Sequence, residues 1–483
     1  MKSNLTRLFR GPGGCWEVLQ IALPLVLSTS AFTVQMFVDC VFLTWYGDET
    51  MPAAMYGGLT SFVIFSFFLG TATYVNTFVA QYDGAGQSKR IGASVWQGIY
   101  FSVAAGLLMM AIAPLAETLM NLAGHGPIVR QHEVVYFRIL CIGAMPGLVA
   151  PTLSCFYSGR GKTWTVMWVN IASTILNILL DYALIFGKWH FPRWGIAGAA
   201  WATVCASALS VIIYFVLFLR QGDRKNYATL SGWKYDAKLI KRLMRFGLPS
   251  GVQFMLDILG FSLFVTFIGR IDSLSLAATA MAFRINSLGF MPMLGFNIAV
   301  CTLVGRSLGK NNPELAQRST WSAAFLTMCY MTTISIGYWF IPEFFMYPFA
   351  LQADPAEYAL IKPMVAKLLC FVAIYSLLDT GTLIFSGALK GAGDTRFVMV
   401  VSVALNWFLM VVPSYFAIKL VKGTAGLYLA WAGLMLYVGV LAVVFLFRFL
   451  GGKWKNMRVI ETAPHGIPRN MPPVPTLETE LAD

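Results

Sequence analysis

Apolar stretches near or above twenty residues recur along the whole chain, separated by short polar breaks that carry most of the charge. About 30 Å of hydrocarbon needs roughly 20 helical residues at 1.5 Å each, so every such stretch is long enough to cross a bilayer. Twelve are found, at about 16–46, 55–80, 93–117, 134–157, 164–187, 195–219, 246–269, 277–303, 320–346, 361–388, 396–420 and 425–450. None shows the ten-residue alternation of a membrane β-barrel, and a lipid-embedded backbone must satisfy its own polar groups, so helices are predicted throughout. The first stretch is too long, and starts too late, for a cleaved leader.

Composition agrees with that pattern: hydrophobic residues make up 58% of the 483 positions and charged residues 12%, with a formal net charge of +13. Long apolar runs separate the basic residues, which argues against a nucleic-acid partner. Their distribution instead predicts topology. The N-terminus, the even-numbered loops and the tail hold 25 Lys/Arg, including Lys2, Arg7, Arg10, Lys390, Arg396, Arg458 and Arg469, against 7 in the odd loops. Both termini are therefore expected in the cytoplasm. The eight cysteines lie in or beside apolar stretches without a CxxC pair, and the four histidines are scattered, so neither disulfides nor a metal cluster is expected.

The pattern also repeats at an offset of 225 to 228 residues. Ala22-Leu23-Pro24 corresponds to Gly247-Leu248-Pro249, Gly70 to Gly295, the loop Gln81-Tyr82-Asp83-Gly84 to Arg306-Ser307-Leu308-Gly309, and Gly195-Ile196-Ala197-Gly198 to Gly423-Thr424-Ala425-Gly426. Six spans per repeat put both halves into the membrane from one side, related by an axis along the membrane normal with a cavity between them. The expected organisation is an all-α polytopic membrane protein of two pseudo-symmetric six-helix lobes. Residues 1–219 form the N-lobe, 220–245 a basic linker, 246–451 the C-lobe, and 452–483 a Pro-rich, disordered tail.

Ionised groups inside a bilayer cost several kcal/mol and are functional candidates by default. Four acids lie well inside spans: Asp39, Asp181, Asp257 and Asp379. Counting from the outer face, Asp39, Asp181 and Thr203 share a depth of roughly 9–12 Å. Asn177, four residues before Asp181, lies on the same helix face one turn deeper. This oxygen-rich group suits a hard monovalent cation or a shared proton. In the second half, Arg284 lies near the depth of Asp257, leaving open an Asp257–Arg284 ion pair or an arginine reaching out toward water. Pro24 lacks a backbone donor and is expected to weaken or kink its helix near Asp39.

These pieces resemble the multidrug and toxic compound extrusion family of antiporters over about residues 10–450. The resemblance rests on the ordered set Met36-Phe37-Val38-Asp39, Gly159-Arg160-Gly161-Lys162-Thr163, Asn177 to Tyr182, Gly195 to Thr203, Gly247-Leu248-Pro249, Val304 to Gly309 and Gly387 to Gly391. It implies export of amphipathic, often cationic compounds in exchange for Na⁺ or H⁺, without cofactor, catalysis or nucleic acid, by a monomer in the cytoplasmic membrane. It also implies a cation site at Asp39, Asn177, Asp181 and Thr203, and a C-lobe substrate or cation site at Asp257 and Asp379. The family's glutamate is replaced there by the shorter Asp257, and Arg284 adds positive charge, so the N-lobe is preferred. A lipid-linked saccharide flippase is the nearest alternative, but would call for more basic residues lining the cavity. An intramembrane prenyl transferase would need clustered acids, whereas Asp83 and Asp394 stand singly in separate loops.

Overall fold

Twelve long helices run back and forth through the computed structural model, which describes residues 9, 11–47, 49–121, 126–350, 355–421 and 423–461. They are α1 Cys15–Tyr46, α2 Thr50–Gly84, α3 Ser88–Asn121, α4 (Pro127–Ile142 followed by Ala144–Ser158), α5 Thr163–Phe186 and α6 Ile196–Phe218. In the second half come α7 Ala237–Gly269, α8 Ser273–Gly309, α9 Pro313–Phe340, α10 Pro355–Ala392, α11 Thr395–Leu420 and α12 Thr424–Leu450. Ten of these are individually long and apolar enough to cross a membrane, and α4, bent by 46° at Gly143, makes eleven. The other, α9, has 28 residues but is rich in Ser and Thr, which lowers its hydropathy. It ends at Phe340, and Pro342 opens a separate short helix, so the expected span 320–346 is broken near its end.

The two lobes meet chiefly through α1 and α2 on one side and α7 and α8 on the other. Here the sequence repeat becomes a physical axis. A β-carbon on Gly84 would strike the Arg306 carbonyl, and one on Gly309 would strike the carbonyl of Gln81. These two contacts are the same contact twice, each residue shifted by 225. Likewise Asn76 donates to Thr302 Oγ1 at 3.0 Å, and Thr77 pairs with Cys301 at 3.3 Å. The segments 81–84 and 306–309, expected as loops, are helix ends locked against each other.

All these contacts lie toward the end of the molecule that carries Gly13 and Glu461, the terminal side. Further cross-lobe bonds lie there too: Tyr74 Oη to the Lys390 carbonyl at 2.8 Å, Gln81 to the Gly391 carbonyl at 2.9 Å, and Arg306 to Asp83 at 2.9 Å. A single apolar core, running from Val18 through Phe78, Phe156 and Val304 to Phe445 and Trp454, joins both lobes on this side. Toward the opposite end the cores separate. One belongs to the C-lobe around Phe264, Ile285 and Trp431, and two smaller ones to the N-lobe around Phe137 and Leu43. The protein is thus sealed at the terminal side and parted at the other.

One expectation is filled in and one changes. The linker makes contacts of its own. Its short helix Gln221–Tyr227 docks on the N-lobe, where Arg160 pairs with Asp223 at 3.1 Å and lies over the rings of Phe156 and Tyr227 at 3.6 and 4.3 Å. The tail, expected to be disordered from 452, is ordered through Glu461. Trp454 is fully buried, stacks on Phe449 at 4.8 Å and donates to the Phe449 carbonyl, giving this strap an apolar anchor that its composition hides. From there it reaches the N-lobe: Val459 N donates to Gln81 Oε1 at 2.8 Å, and Glu461 accepts from Tyr82 Oη at 2.7 Å. Residues 462–483, together with Lys2, Arg7, Arg10, Lys422 and Arg469, lie outside the described residues.

Candidate functional site

In the N-lobe, α1 packs along α5, and α5 along α6. The i, i+4 spacing of Asn177 and Asp181 stacks both on the face of α5 that turns inward, and both are completely buried. Asp39, half-buried on α1, comes into hydrogen-bond contact with Asp181. The hydrogen-bonding pattern turns the Asn177 amide nitrogen toward the acids, donating to Asp39 Oδ1 and Asp181 Oδ2 at 3.2 Å each, while its oxygen accepts from the backbone N–H of Thr203 at 3.3 Å. The depth argument therefore brings together Asp39, Asn177 and Asp181. Thr203 joins through its backbone, because its hydroxyl donates back to the Ala199 carbonyl at 3.2 Å.

Two neighbours were not anticipated. Gln35, one turn from Asp39 on α1, places its amide nitrogen 3.1 Å from that of Asn177 and accepts from Thr174 Oγ1. Tyr136 of α4 lies within electrostatic range of both acids. The i−4 relation of Gln35 to Asp39 could have flagged the first; nothing local marks Tyr136. Asp181 Oδ1 is buried without a hydrogen-bond donor, so the cluster has one unused acceptor.

Pro24 sits fifteen residues earlier on α1, and the helix runs unbroken through it from Cys15 to Tyr46. The missing N–H deprives the Gln20 carbonyl of its usual partner, which softens this turn. Val26, two residues along, packs against Gly295 of α8, so the soft turn lies in the lobe interface.

The C-lobe acids have different company. Asp257 accepts from Gln253 Nε2 at 3.2 Å, and the same amide reaches Ser402 Oγ at 3.1 Å. Asn406 also hydrogen-bonds to Asp257. It opens a π-helical segment, Asn406–Val411, inside α11, and its side chain lies on the bare backbone of Gly260. Such bulges re-aim a side chain out of the α-helical register. Asp379 feels Asp257 electrostatically, without a hydrogen bond between them. The oxygens Asp257 Oδ1, Gln253 Oε1 and Asn406 Oδ1 are buried without donors.

The Asp257–Arg284 ion pair does not form. Arg284 is exposed on α8, and its electrostatic neighbour is Cys40 of α1, so it extends toward the parting between the lobes. Among the described residues the cation near Asp257 is Lys390, expected in a loop. The helix α10 continues two residues past it, drawing it into the bundle.

Two six-helix lobes sealed at one end, with buried acids in the walls of each, define a multi-pass membrane transporter rather than an enzyme. The MatE family model matches residues 24–183 and again residues 249–416, beginning at positions 225 apart. The chain therefore belongs to the MatE family, the multidrug and toxic compound extrusion transporters. It is 25% identical over 447 residues to the probable multidrug resistance protein NorM of Thermotoga maritima, covering 92% of this chain and 94% of that one. It is 26% identical over 453 residues to the multidrug resistance protein NorM of Burkholderia vietnamiensis, covering 92% and 97%. Among solved structures, it is similar to an outward-facing multidrug resistance MATE transporter, with a TM-score of 0.83 at 19% identity, covering 94% of this chain and 99% of that one. It is also similar to a transporter of the same superfamily from Pyrococcus furiosus described as having a binding pocket of reversed polarity, with a TM-score of 0.82 at 20% identity and the same coverage. These two likenesses establish the twelve-helix, two-lobe fold.

Proposed function

We propose that this protein is a monomeric secondary active exporter of the bacterial inner membrane. It extrudes amphipathic or cationic compounds in exchange for H⁺ or Na⁺ by alternating access of its two lobes, with both termini cytoplasmic. The carrying observation is the Asp39–Asn177–Asp181 cluster, buried in the N-lobe wall beside the parted end. The relatives' names supply the substrate class, and the 25-to-7 Lys/Arg asymmetry supplies the orientation, making the parted end the outer one.

The chemistry follows from the donor set. Two carboxyl groups in contact cannot both carry charge cheaply, so they take up a proton or a cation together. With the Asn177 nitrogen inward, the amide offers donors and no oxygen to an occupant, so the fitting one is a proton shared between the two carboxyl groups. Turned over, its oxygen would join the acid oxygens as a ligand set for a hard monovalent cation. Either occupant removes negative charge beneath the soft turn at Pro24, whose α1 packs on α8 and so couples site occupancy to lobe contact.

The test is reconstituted protein in liposomes under separately imposed Na⁺ and pH gradients, with a panel of cationic dyes. Wild-type protein should exchange dye against one gradient, and Asp39→Asn should insert normally yet lose that exchange. Undiminished exchange in the variant, or transport of only anionic lipid-linked cargo, would sink the assignment.

A further inference from the structure

The terminal side carries a second site that export by the cleft does not use. A cavity of about 390 Å³ opens between the start of α7 (Arg245, Phe246), the turn into α11 (Gly393, Asp394, Arg396) and the strap (Met457, Arg458). Three guanidinium groups line it. The single acid there, Asp394, is already neutralised by Arg448 at 2.7 Å, leaving the lining net positive. Among the described residues, none of Arg245, Arg396 or Arg458 has an acidic partner.

Arg458 is the informative member. It donates to the Lys455 and Met457 carbonyls at 2.8 and 2.6 Å and to Asn311 Oδ1 at 3.3 Å, all neutral acceptors. Partial burial pushes its pKa down, since a guanidinium taken from water without a counter-charge is held at a cost. A protein that pins a cation in this way, next to two unpaired others, has built half of an ion pair. Planar guanidinium forks match the oxygens of a phosphate, which accepts several charge-assisted bonds at once.

We propose that this cavity binds a phosphate group, presented either by an anionic phospholipid headgroup at the membrane surface or by a soluble phosphate. The site lies at the ends of spanning helices, where a headgroup sits. One wall is the strap that bonds to Gln81 and Tyr82 of the other lobe. An occupant holding Arg458 therefore also holds the strap in its cross-lobe position, favouring the sealed state of this side.

The test uses purified full-length protein and follows the thermal unfolding midpoint during titration with short-chain phosphatidylglycerol, short-chain phosphatidylcholine or inorganic phosphate at matched ionic strength. The comparison protein is Arg245→Gln/Arg396→Gln, which removes two guanidiniums that make no hydrogen bond among the described residues; Arg396→Gln alone serves if the double variant is unstable. We expect a saturable rise for wild-type protein with phosphatidylglycerol and not phosphatidylcholine. Its half-point should weaken about tenfold per guanidinium removed. The same rise with inorganic phosphate would assign the site to soluble phosphates, and a rise with phosphatidylglycerol alone to lipid. Equal responses of wild type and variant to every probe, or no saturable response of wild type to any, overturns the proposal. The readout is binding, so its failure leaves the export reading untouched.

Discussion

The two lobes are copies of one design, yet their membrane-embedded acids stand in different surroundings. In the N-lobe, Asp39 and Asp181 face each other across α1 and α5, bridged by one amide. In the C-lobe, the acids Asp257 and Asp379 are not bonded to each other. Asp257 is instead surrounded by Gln253 and Asn406, with Lys390 as a counter-charge. A nearby cation favours the ionised acid and lessens its need to take up another. The lesson is that a repeat preserves helix positions and interface contacts, such as the paired Gly84 and Gly309 approaches, while a few side chains give the acids of each copy their own partners.

That contrast can be broken most directly at the acids. Asp39→Asn and Asp181→Asn should each bring cation-driven dye exchange in liposomes down to background, whereas Asp257→Asn should leave most of it. A larger loss at Asp257 would reverse the assignment of roles. Next, Asn177→Ala removes two hydrogen bonds to charged groups, worth about 1.5–3 kcal/mol each. Donors to an acid favour its ionised form, so without them the pair should hold a proton more readily, and the proton concentration giving half-maximal exchange should fall at least about tenfold. Substituting Lys390→Met would sharpen the comparison from the other side. Without its counter-charge, Asp257 should gain a need for a cation, and exchange should acquire a second dependence on coupling-ion concentration that Asp257→Asn abolishes.

The smallest effect concerns the strap that ties both lobes together. Burial works to raise the Glu461 carboxyl, but the Tyr82 hydroxyl, its own backbone N–H and the charges of Arg242 and Arg90 together hold it below the ordinary glutamate range. A group depressed in this way contributes its stabilisation above the ordinary glutamate range and loses it as pH falls through the lowered value. Protection of the amides of residues 453–461 against exchange, relative to an unstructured chain at the same pH, should therefore fall under acid conditions, and Glu461→Gln should lower it at neutral pH as well. If the segment stays equally protected in that variant, Trp454 alone holds it.

Much of the site was legible because helix geometry is rigid. A rise of 1.5 Å per residue converts position in a span into depth, and i, i+4 spacing places Asn177 and Asp181 on one face. Depth does not report rotation about a helix axis. That is why Arg284 could be offered to Asp257 from the sequence, although it points toward Cys40. It is also why Thr203, at the right depth, contributes its backbone rather than its hydroxyl. Lys390 was misplaced for a different reason. A basic residue near the end of an apolar run reads as loop, and only the packing of α10 against α8 and α12 shows that the helix continues past it. Asn406 entered through a π-helical shift that no local residue announces.

By itself the sequence determined the membrane class, the twelve spans, the doubled plan and the four acids placed well inside them, because hydrocarbon thickness and the cost of buried charge act on each segment locally. Tertiary structure alone decided which acids touch, which cation answers Asp257, which end of the molecule is sealed and where the strap docks. Each of those depends on the rotation and pairing of helices far apart in the chain. Contacts between distant segments are set by the packing of whole faces, and that is the level at which two similar halves became two different sites.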